Sequence, residues 1–384
     1  MRRAHWRTRA VLALAAGMTF MVCGPTGGVS ASATTSLEQT FGSVSVAYYN
    51  DVQPWEAARM AAGGVRTVRL SFDWFGVEAR DGAFNWSGLD RTVGALASQG
   101  IRAEPVLFGT PTWAVENLPP NPVGAGPGGP NDTAYPPVMT QRATRGWKRF
   151  VHKAVARYGP GGYYWTSAYS ARYPGLPALP VTTWQVWNEP TIAGSFWPRP
   201  SVRRYGRVLE LTSPVIRSVD PGARIALAGV PGHIHYHGIT FINRLYRDFP
   251  HIAHYFDLVA FHPYSPTARG AVAQLGQLRR ALRRDGDPHV PVWVSEIGWG
   301  SGDRHTSRLN KGLYGQGRML RRLYTRLRPR VRRLRVWQVT WFDWRDPQQQ
   351  SNVCTWCTQA GLIDWRGRRK PAWNAYRSFM GRLG

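Results

Sequence analysis

The chain has 384 residues, 43% of them hydrophobic with 18 tryptophans, which is enough apolar material for a large core. Formal net charge is +27, and of 49 basic residues only Lys148, Lys153, Lys311 and Lys370 are lysine. Such charge raises nucleic-acid binding, but no recognition motif accompanies it, and we set that class aside.

Met1 to Ala10 carries four arginines, Val11 to Gly24 is apolar, and Ala31-Ser32-Ala33 is a small-residue cleavage pattern. This predicts a signal peptide over 1–33 and an exported protein, with Cys23 in the discarded segment. No later stretch is long and apolar enough to span a bilayer. Cys354 and Cys357 remain, and in an exported chain their spacing predicts a disulfide. The enclosed loop is so short that chain entropy gives the bond only about 2 kcal/mol, so it would pin a loop rather than hold a fold.

In chain order, strands are expected over 42–48, 65–71, 101–108, 182–189, 224–230, 258–264, 292–296 and 336–341. Helices are expected over 53–62, 87–99, 140–158, 200–218, 238–248, 271–284, 309–327 and 371–380. Residues 117–138, rich in Pro, Gly and Asn, form a long loop after the third strand. Strands alternating with helices imply parallel pairing with right-handed crossovers. Eight such units predict a single (β/α)8 barrel over 34–384. An open doubly wound sheet would need a Gly-rich phosphate loop after the first strand, and Tyr48-Tyr-Asn-Asp-Val is not one. No cofactor is expected.

The fourth predicted strand ends in Trp187-Asn188-Glu189-Pro190, and the seventh runs Pro291-Val-Trp-Val-Ser-Glu296-Ile-Gly-Trp299. An ionised carboxylate straight after buried aromatics is costly unless it has partners or a task. The chain has only eight glutamates, so two at strand ends are informative. At the C-terminal mouth of such a barrel they would meet Arg69, Asn188, His262, Tyr264 and Trp341 from other strands. Two carboxylates flanking one sugar suit glycoside hydrolysis, with retention at a separation of ~5–5.5 Å and inversion at ~6.5–9.5 Å. Glu189 would be the acid/base, its pKa raised by Trp184 and Trp187. Glu296 would be the nucleophile, kept ionised by Arg69 and Tyr264. Asn188 would donate to the sugar 2-hydroxyl, Trp341 would form a platform beneath the ring, and His262 would bond Glu189 or the substrate. Strict alternation would turn Asn188 and Glu189 to opposite faces, so the chain must bend there.

This order of elements, with Trp-Asn-Glu-Pro on the fourth strand and Ser-Glu-Ile-Gly-Trp on the seventh, resembles clan A of the retaining glycoside hydrolases. It looks most like the cellulase-like and β-xylosidase-like families within that clan. The resemblance covers nearly the whole mature chain. It implies Glu189 as acid/base and Glu296 as nucleophile, with Arg69, His262, Tyr264 and Trp341 matching the clan's other site positions. The expected activity is a secreted, monomeric hydrolase that retains configuration at a β-linked oligo- or polysaccharide.

Other residues compete for roles. Glu104 lies early in the third strand, toward the barrel bottom, where residues serve stability. Asp73 and Asp343 are read as loop caps. Trp113, Trp197 and Trp299 follow strands, and Trp299, beside the nucleophile, is read as a sugar contact. His233, His235 and His237 have a spacing that suits zinc, but no carboxylate completes the set, and no metal is expected. The rivals are thus a non-catalytic carbohydrate-binding barrel and a metal-dependent hydrolase using these histidines. Residues 318–335 hold nine arginines and 279–284 hold four. They are expected to face away from the mouth, and either hold the enzyme near anionic wall polymers or are merely exposed helix faces.

Overall fold

The computed structural model describes residues 35–47, 51–119, 121, 131–232, 238–350 and 354–383. The expected signal peptide, part of the 117–138 loop, and His233, His235 and His237 lie outside the described residues.

In chain order the elements are α1 (Leu37–Phe41), β1 (Ser43–Val46), α2 (Pro54–Ala62), β2 (Thr67–Asp73), α3 (Trp74–Val77), α4 (Ser87–Ala97), β3 (Arg102–Phe108), α5 (Gln141–Tyr158), α6 (Ser170–Arg172), β4 (Thr183–Val186), α7 (Val202–Val219), β5 (Arg224–Ala226) and β6 (Val230–Pro231). Then follow α8 (Gly238–Asp248), β7 (Val259–His262), α9 (Ala268–Arg284), β8 (Val292–Ile297), α10 (Leu313–Leu327), α11 (Val331–Leu334), β9 (Val336–Trp341) and α12 (Pro371–Met380). Thr140, Ser201 and Thr267 each cap a long helix by accepting from a backbone amide three residues on. Among the described residues, no helix is long and apolar enough to cross a membrane.

The nine strands form one curled parallel sheet in the order β5-β4-β3-β2-β1-β9-β8-β7-β6. Where the sequence predicts one fifth strand over 224–230, the structure has two short ones, β5 and β6. They stand at opposite ends of the sheet order yet are separated by only Leu227–Gly229 in the chain. Bridges Asn188–Gly229 and Ala226–Leu258 pair this stretch with the chain on either side.

Alternation decides what each face of the sheet carries. In β1, β2 and β9, Val44, Val46, Val68, Leu70, Phe72 and Val339 belong to the main apolar core. The residues between them turn to the other face and bond to each other across strands. Ser43 meets Thr340 at 2.9 Å, and the Gln338 amide donates to Thr67 and Glu104. Glu104 is fully buried in this polar layer. Burial pushes its carboxyl up to about 7 against the bonds from Gln338 and Thr67. Its structural place agrees with the sequence reading.

Candidate active site

Arg69 projects from the polar face of β2 and is almost wholly buried. Each of its nitrogens has a separate partner. Nε donates to Gln185 Oε1 at 2.9 Å, Nη1 to Glu296 Oε1 at 2.6 Å, and Nη2 to Asn188 Oδ1 at 2.8 Å. One guanidinium thus ties together the ends of β4 and β8. A buried fork of this kind is the geometry arginine supplies and lysine does not.

At the end of β4 the chain bends, as the sequence requires. Trp187 has φ 69° and Glu189 φ 47°, left-handed values that are uncommon for residues other than glycine. The first turn sends the Trp187 ring to the apolar side, against Phe108, Trp147 and Phe196, while its Nε1 donates to the Ser195 carbonyl. Asn188 and Glu189 then both reach the site. Glu189 N donates to Gly229 O at 3.0 Å, which fastens the bend to the stretch between β5 and β6. Trp184 packs on Phe72 in the same apolar layer. Neither indole is the apolar lining of Glu189 that the sequence predicts, because both belong to the outer face of the sheet.

A second irregularity aims Glu296. Val294 pairs with Val339 and Ile297 with Trp341, so three residues of β8 span two of β9. The Trp293 indole donates to Thr340 on the polar face, and after this bulge Glu296 meets Arg69 on that face too. Bulges re-aim side chains in this way beside functional sites. Tyr264, just past β7, donates its hydroxyl to Glu296 Oε2 at 2.8 Å. Burial works to raise the Glu296 pKa, but the positive electrostatics of His262 and Arg69 and the bonds from Tyr264 and Arg69 outweigh it. The carboxyl is held below its usual range.

His262 is fully buried at the end of β7, with Nδ1 2.9 Å from Glu189 Oε1 and 3.5 Å from Glu296 Oε2. Its Nε2 has no hydrogen-bond partner among the described residues. Facing two carboxylate oxygens, Nδ1 carries a proton and donates to Glu189. The Nε2 end of the ring abuts Gly229, where a Cβ would come within 2.1 Å of Nε2. Only glycine leaves room for it. A carboxylate oxygen of Glu189, one of Glu296 and a nitrogen of His262 all lie within 4.8 Å of one another.

Two carboxylates and an imidazole are also donors for a divalent cation. Here, however, Glu296 Oε1 accepts from Arg69 and Oε2 from Tyr264. A guanidinium 2.6 Å away repels a metal from the same oxygen, so the surroundings fit a carboxylate held for its own chemistry.

The tryptophan expectations are corrected. Trp341 shares the outer face with Val339, is fully buried and tilts against the equally buried Trp299. Their indole N–H groups donate to the carbonyls of Ala360 and Ser265. With no exposed ring face, neither is an open platform for a sugar. The next residue, Phe342, faces the site side and packs on Tyr264, with Trp356 against both rings. Sequence reading missed Gln185, Gly229, Phe342 and Trp356. Period-two counting from Gln338 would have favoured Phe342 over Trp341. Trp113 donates to the Glu78 carbonyl and Trp197 to the Tyr135 hydroxyl, so both serve loop packing. Asp343 accepts from Ser45 and the backbone of Ala47 and Trp344, which fits the cap reading; burial pushes its carboxyl up to about 8. Asp73 makes no capping bond to α3 and accepts from Ser71 instead. Cys354 and Cys357 form the expected disulfide.

No known family pattern matches the sequence, and no curated protein sequence does. Solved structures do match. A family 39 glycoside hydrolase from the gut symbiont Bacteroides cellulosilyticus WH2 superimposes with TM-score 0.63 at 18% identity, covering 90% of this chain and 64% of that one. A monomeric β-xylosidase from Caulobacter crescentus CB15 gives 0.60 at 18% identity, over 90% and 70%. The GH5_18 protein of Bifidobacterium longum gives 0.59 at 16%, over 90% and 79%. The chain shares its fold with glycoside hydrolases. At these identities the likeness concerns the fold, and this chain spans just under two thirds of the length of the first of them.

Proposed function

We propose that the protein is a retaining glycoside hydrolase acting on β-linked sugars, with Glu189 as acid/base and Glu296 as nucleophile. The observation that carries this reading is the approach of both carboxylates and His262 within 4.8 Å, in unequal surroundings. An approach this close suits the ~5–5.5 Å of retention better than the ~6.5–9.5 Å of inversion. Glu296 is buried and takes bonds from a guanidinium and a phenol, which keep it ionised. Glu189 is more exposed and bonded to one imidazole, the place for a group that gives and takes protons.

The steps follow. A Glu296 oxygen attacks the anomeric carbon while the glycosidic C–O bond breaks, and Glu189 delivers its proton to the departing oxygen. Glu189, now ionised, takes a proton from water. The water oxygen attacks the anomeric carbon and the Glu296 ester bond breaks, restoring both carboxyl groups. Asn188 Oδ1 already accepts from Arg69 and Gln185, which turns its amide N–H groups outward to donate to the 2-hydroxyl. We read the sheet as a (β/α)8 barrel whose fifth strand is broken into β5 and β6, a reading supported by the Ala226–Leu258 and Asn188–Gly229 bridges.

The test is a panel of aryl β-glycosides and polysaccharides, with the anomer of the first product read by NMR. A β-configured first product is expected, and an α-configured one would overturn retention. Glu296→Ala should abolish turnover and keep binding. Glu189→Gln should lose ~10²–10⁴-fold on substrates with poor leaving groups and little on activated ones. Equal turnover by Glu296→Ala would remove Glu296 as nucleophile, and a wild type that binds sugars without turning them over would be a carbohydrate-binding protein instead.

We also propose that the chain is exported through 1–33 and acts as a monomer outside the cell, where its disulfide persists. A second feature suggests what it stays close to. Among the described residues, none of the arginines in 279–284 and 318–335 makes an ion pair with a carboxylate within 4.0 Å. Arg279 is buried and binds the carbonyls of Pro288, Val290 and Leu334, while most of the others are exposed. Arg283 and Arg284 end α9 and Arg332 and Arg333 lie in α11, the helices that lead into β8 and β9, opposite the strand ends that carry the glutamates. Such a face suits an anionic wall polymer. Changing these four to glutamine should release the protein from that polymer at low salt. Unchanged retention would discard the idea.

A further inference from the structure

The tail of β8, the end of β9 and the short loop at 354–357 meet beside Glu296. Trp356 packs edge-on against Tyr264, with ring centroids 4.7 Å apart, and against Phe342 at 5.8 Å. Tyr264 is the residue that donates to Glu296. Trp356 is therefore one ring removed from the proposed nucleophile. Unlike the buried Trp299 and Trp341, it is partly exposed.

The loop is held on each side. The Cys354–Cys357 disulfide brackets Trp356 directly. Beneath it, Gly300 lies so close that a Cβ there would come within 2.9 Å of the Trp356 carbonyl oxygen. Just after it, the Gln359 carbonyl accepts from Ser301 N and from Lys370 Nζ, and Lys370 is itself buried on Asp346. A four-residue disulfide contributes little to global stability, yet here it closes around a partly exposed indole beside the site.

We propose that Trp356 is a sugar-stacking residue next to the cleaved position, and that the Cys354–Cys357 disulfide is the device that holds its ring in place. This rests on the glycosidase reading above. A sugar ring presents a face of C–H bonds, and an immobilised indole contacts that face at low entropic cost. Trp356 would engage a second sugar of a chain-like substrate, while Glu189 and Glu296 act on the first. It is thus a specificity-determining residue, selecting substrates longer than one unit.

The test uses the full chain and two substrates of the sugar that the wild type cleaves: an oligosaccharide, and a β-glycosyl fluoride, which has no second ring. For Trp356→Ala, kcat/KM for the oligosaccharide should fall roughly tenfold further than kcat/KM for the fluoride, the excess lying in KM. Trp356→Phe should recover part of the loss. Equal falls in kcat on both substrates would mean that Trp356 only buttresses Tyr264, and the inference would be wrong. Unchanged constants on both would also end it. A wild type inert toward every glycoside removes the glycosidase reading itself, an outcome distinct from either.

A second measurement needs no substitution at the indole. Dithiothreitol splits the disulfide to two thiols and is itself oxidised to a cyclic disulfide. It should raise the wild-type oligosaccharide KM to that of a Cys354→Ser/Cys357→Ser variant and leave Trp356→Ala unaffected. If reduction leaves the wild type unchanged, the disulfide does not hold the ring.

Discussion

Arg69 and Glu296, 227 residues apart in the chain, are joined by a 2.6 Å ion pair in which both side chains are less than a tenth exposed. Removing one member of such a pair leaves an uncompensated charge in a poorly solvated place. Arg69→Met should therefore cost about 3 kcal/mol in urea unfolding, beyond any effect on turnover. Arg69→Lys keeps the charge but cannot serve Gln185, Asn188 and Glu296 together, so activity should fall while most stability returns. If Arg69→Met unfolds like wild type, the pair is not the clamp described here.

Tyr264 and pH form a second case. The Glu296 carboxyl is held below its ordinary range, so the ionised form persists as pH falls and is lost only on passing through the lowered value. The acid limb of kcat/KM should lie on the acid side of an ordinary glutamate. Tyr264→Phe removes one hydrogen bond to the ionised form and should move that limb toward higher pH. A limb that stays still in Tyr264→Phe would mean that another group sets it.

Gly229 tests the seat of His262. A methyl group there would occupy the place of the imidazole Nε2, so Gly229→Ala should displace His262 from Glu189. Displacement on the order of 1 Å costs ~100-fold where geometry governs the rate. Overall stability should change less than activity does. Wild-type activity in Gly229→Ala would show that His262 needs no fixed seat.

Glu104 and Asp343 predict how stability varies with pH. Burial raises them from ordinary values of 4.5 and 3.8 to about 7 and about 8. A carboxyl raised on folding adds stability that is complete below its unfolded value and is lost as pH rises through its folded one. Unfolding free energy should therefore decline between about pH 4 and pH 8, by on the order of 3 kcal/mol for Glu104 alone. Glu104→Gln should reduce the slope between about pH 4.5 and pH 7, and Asp343→Asn should reduce it across the whole decline. Urea midpoints across this range decide it; a flat wild-type profile would contradict both assignments.

Composition and period were enough for the alternation of strands and helices and for the two glutamates at strand ends, because burial imposes its pattern locally. Period two also placed Arg69 on the face that carries the polar layer. What it could not contain were the departures from period two. The left-handed turns at Trp187 and Glu189 bring Asn188 and Glu189 together, and the bulge before Ile297 turns Glu296 inward. Both cost backbone energy that only long-range partners repay: the Gly229 carbonyl, Arg69 and Tyr264. The same limit explains why Trp341 was chosen and Phe342 overlooked, since facing depends on strand register and tryptophan content does not reveal it. The sequence by itself determined which residues are chemically able to act and roughly where their strands end. The tertiary structure decided which of them meet, because a contact between β2, β4, β7 and β8 is set by curvature and pairing across the whole sheet, and no local stretch encodes that.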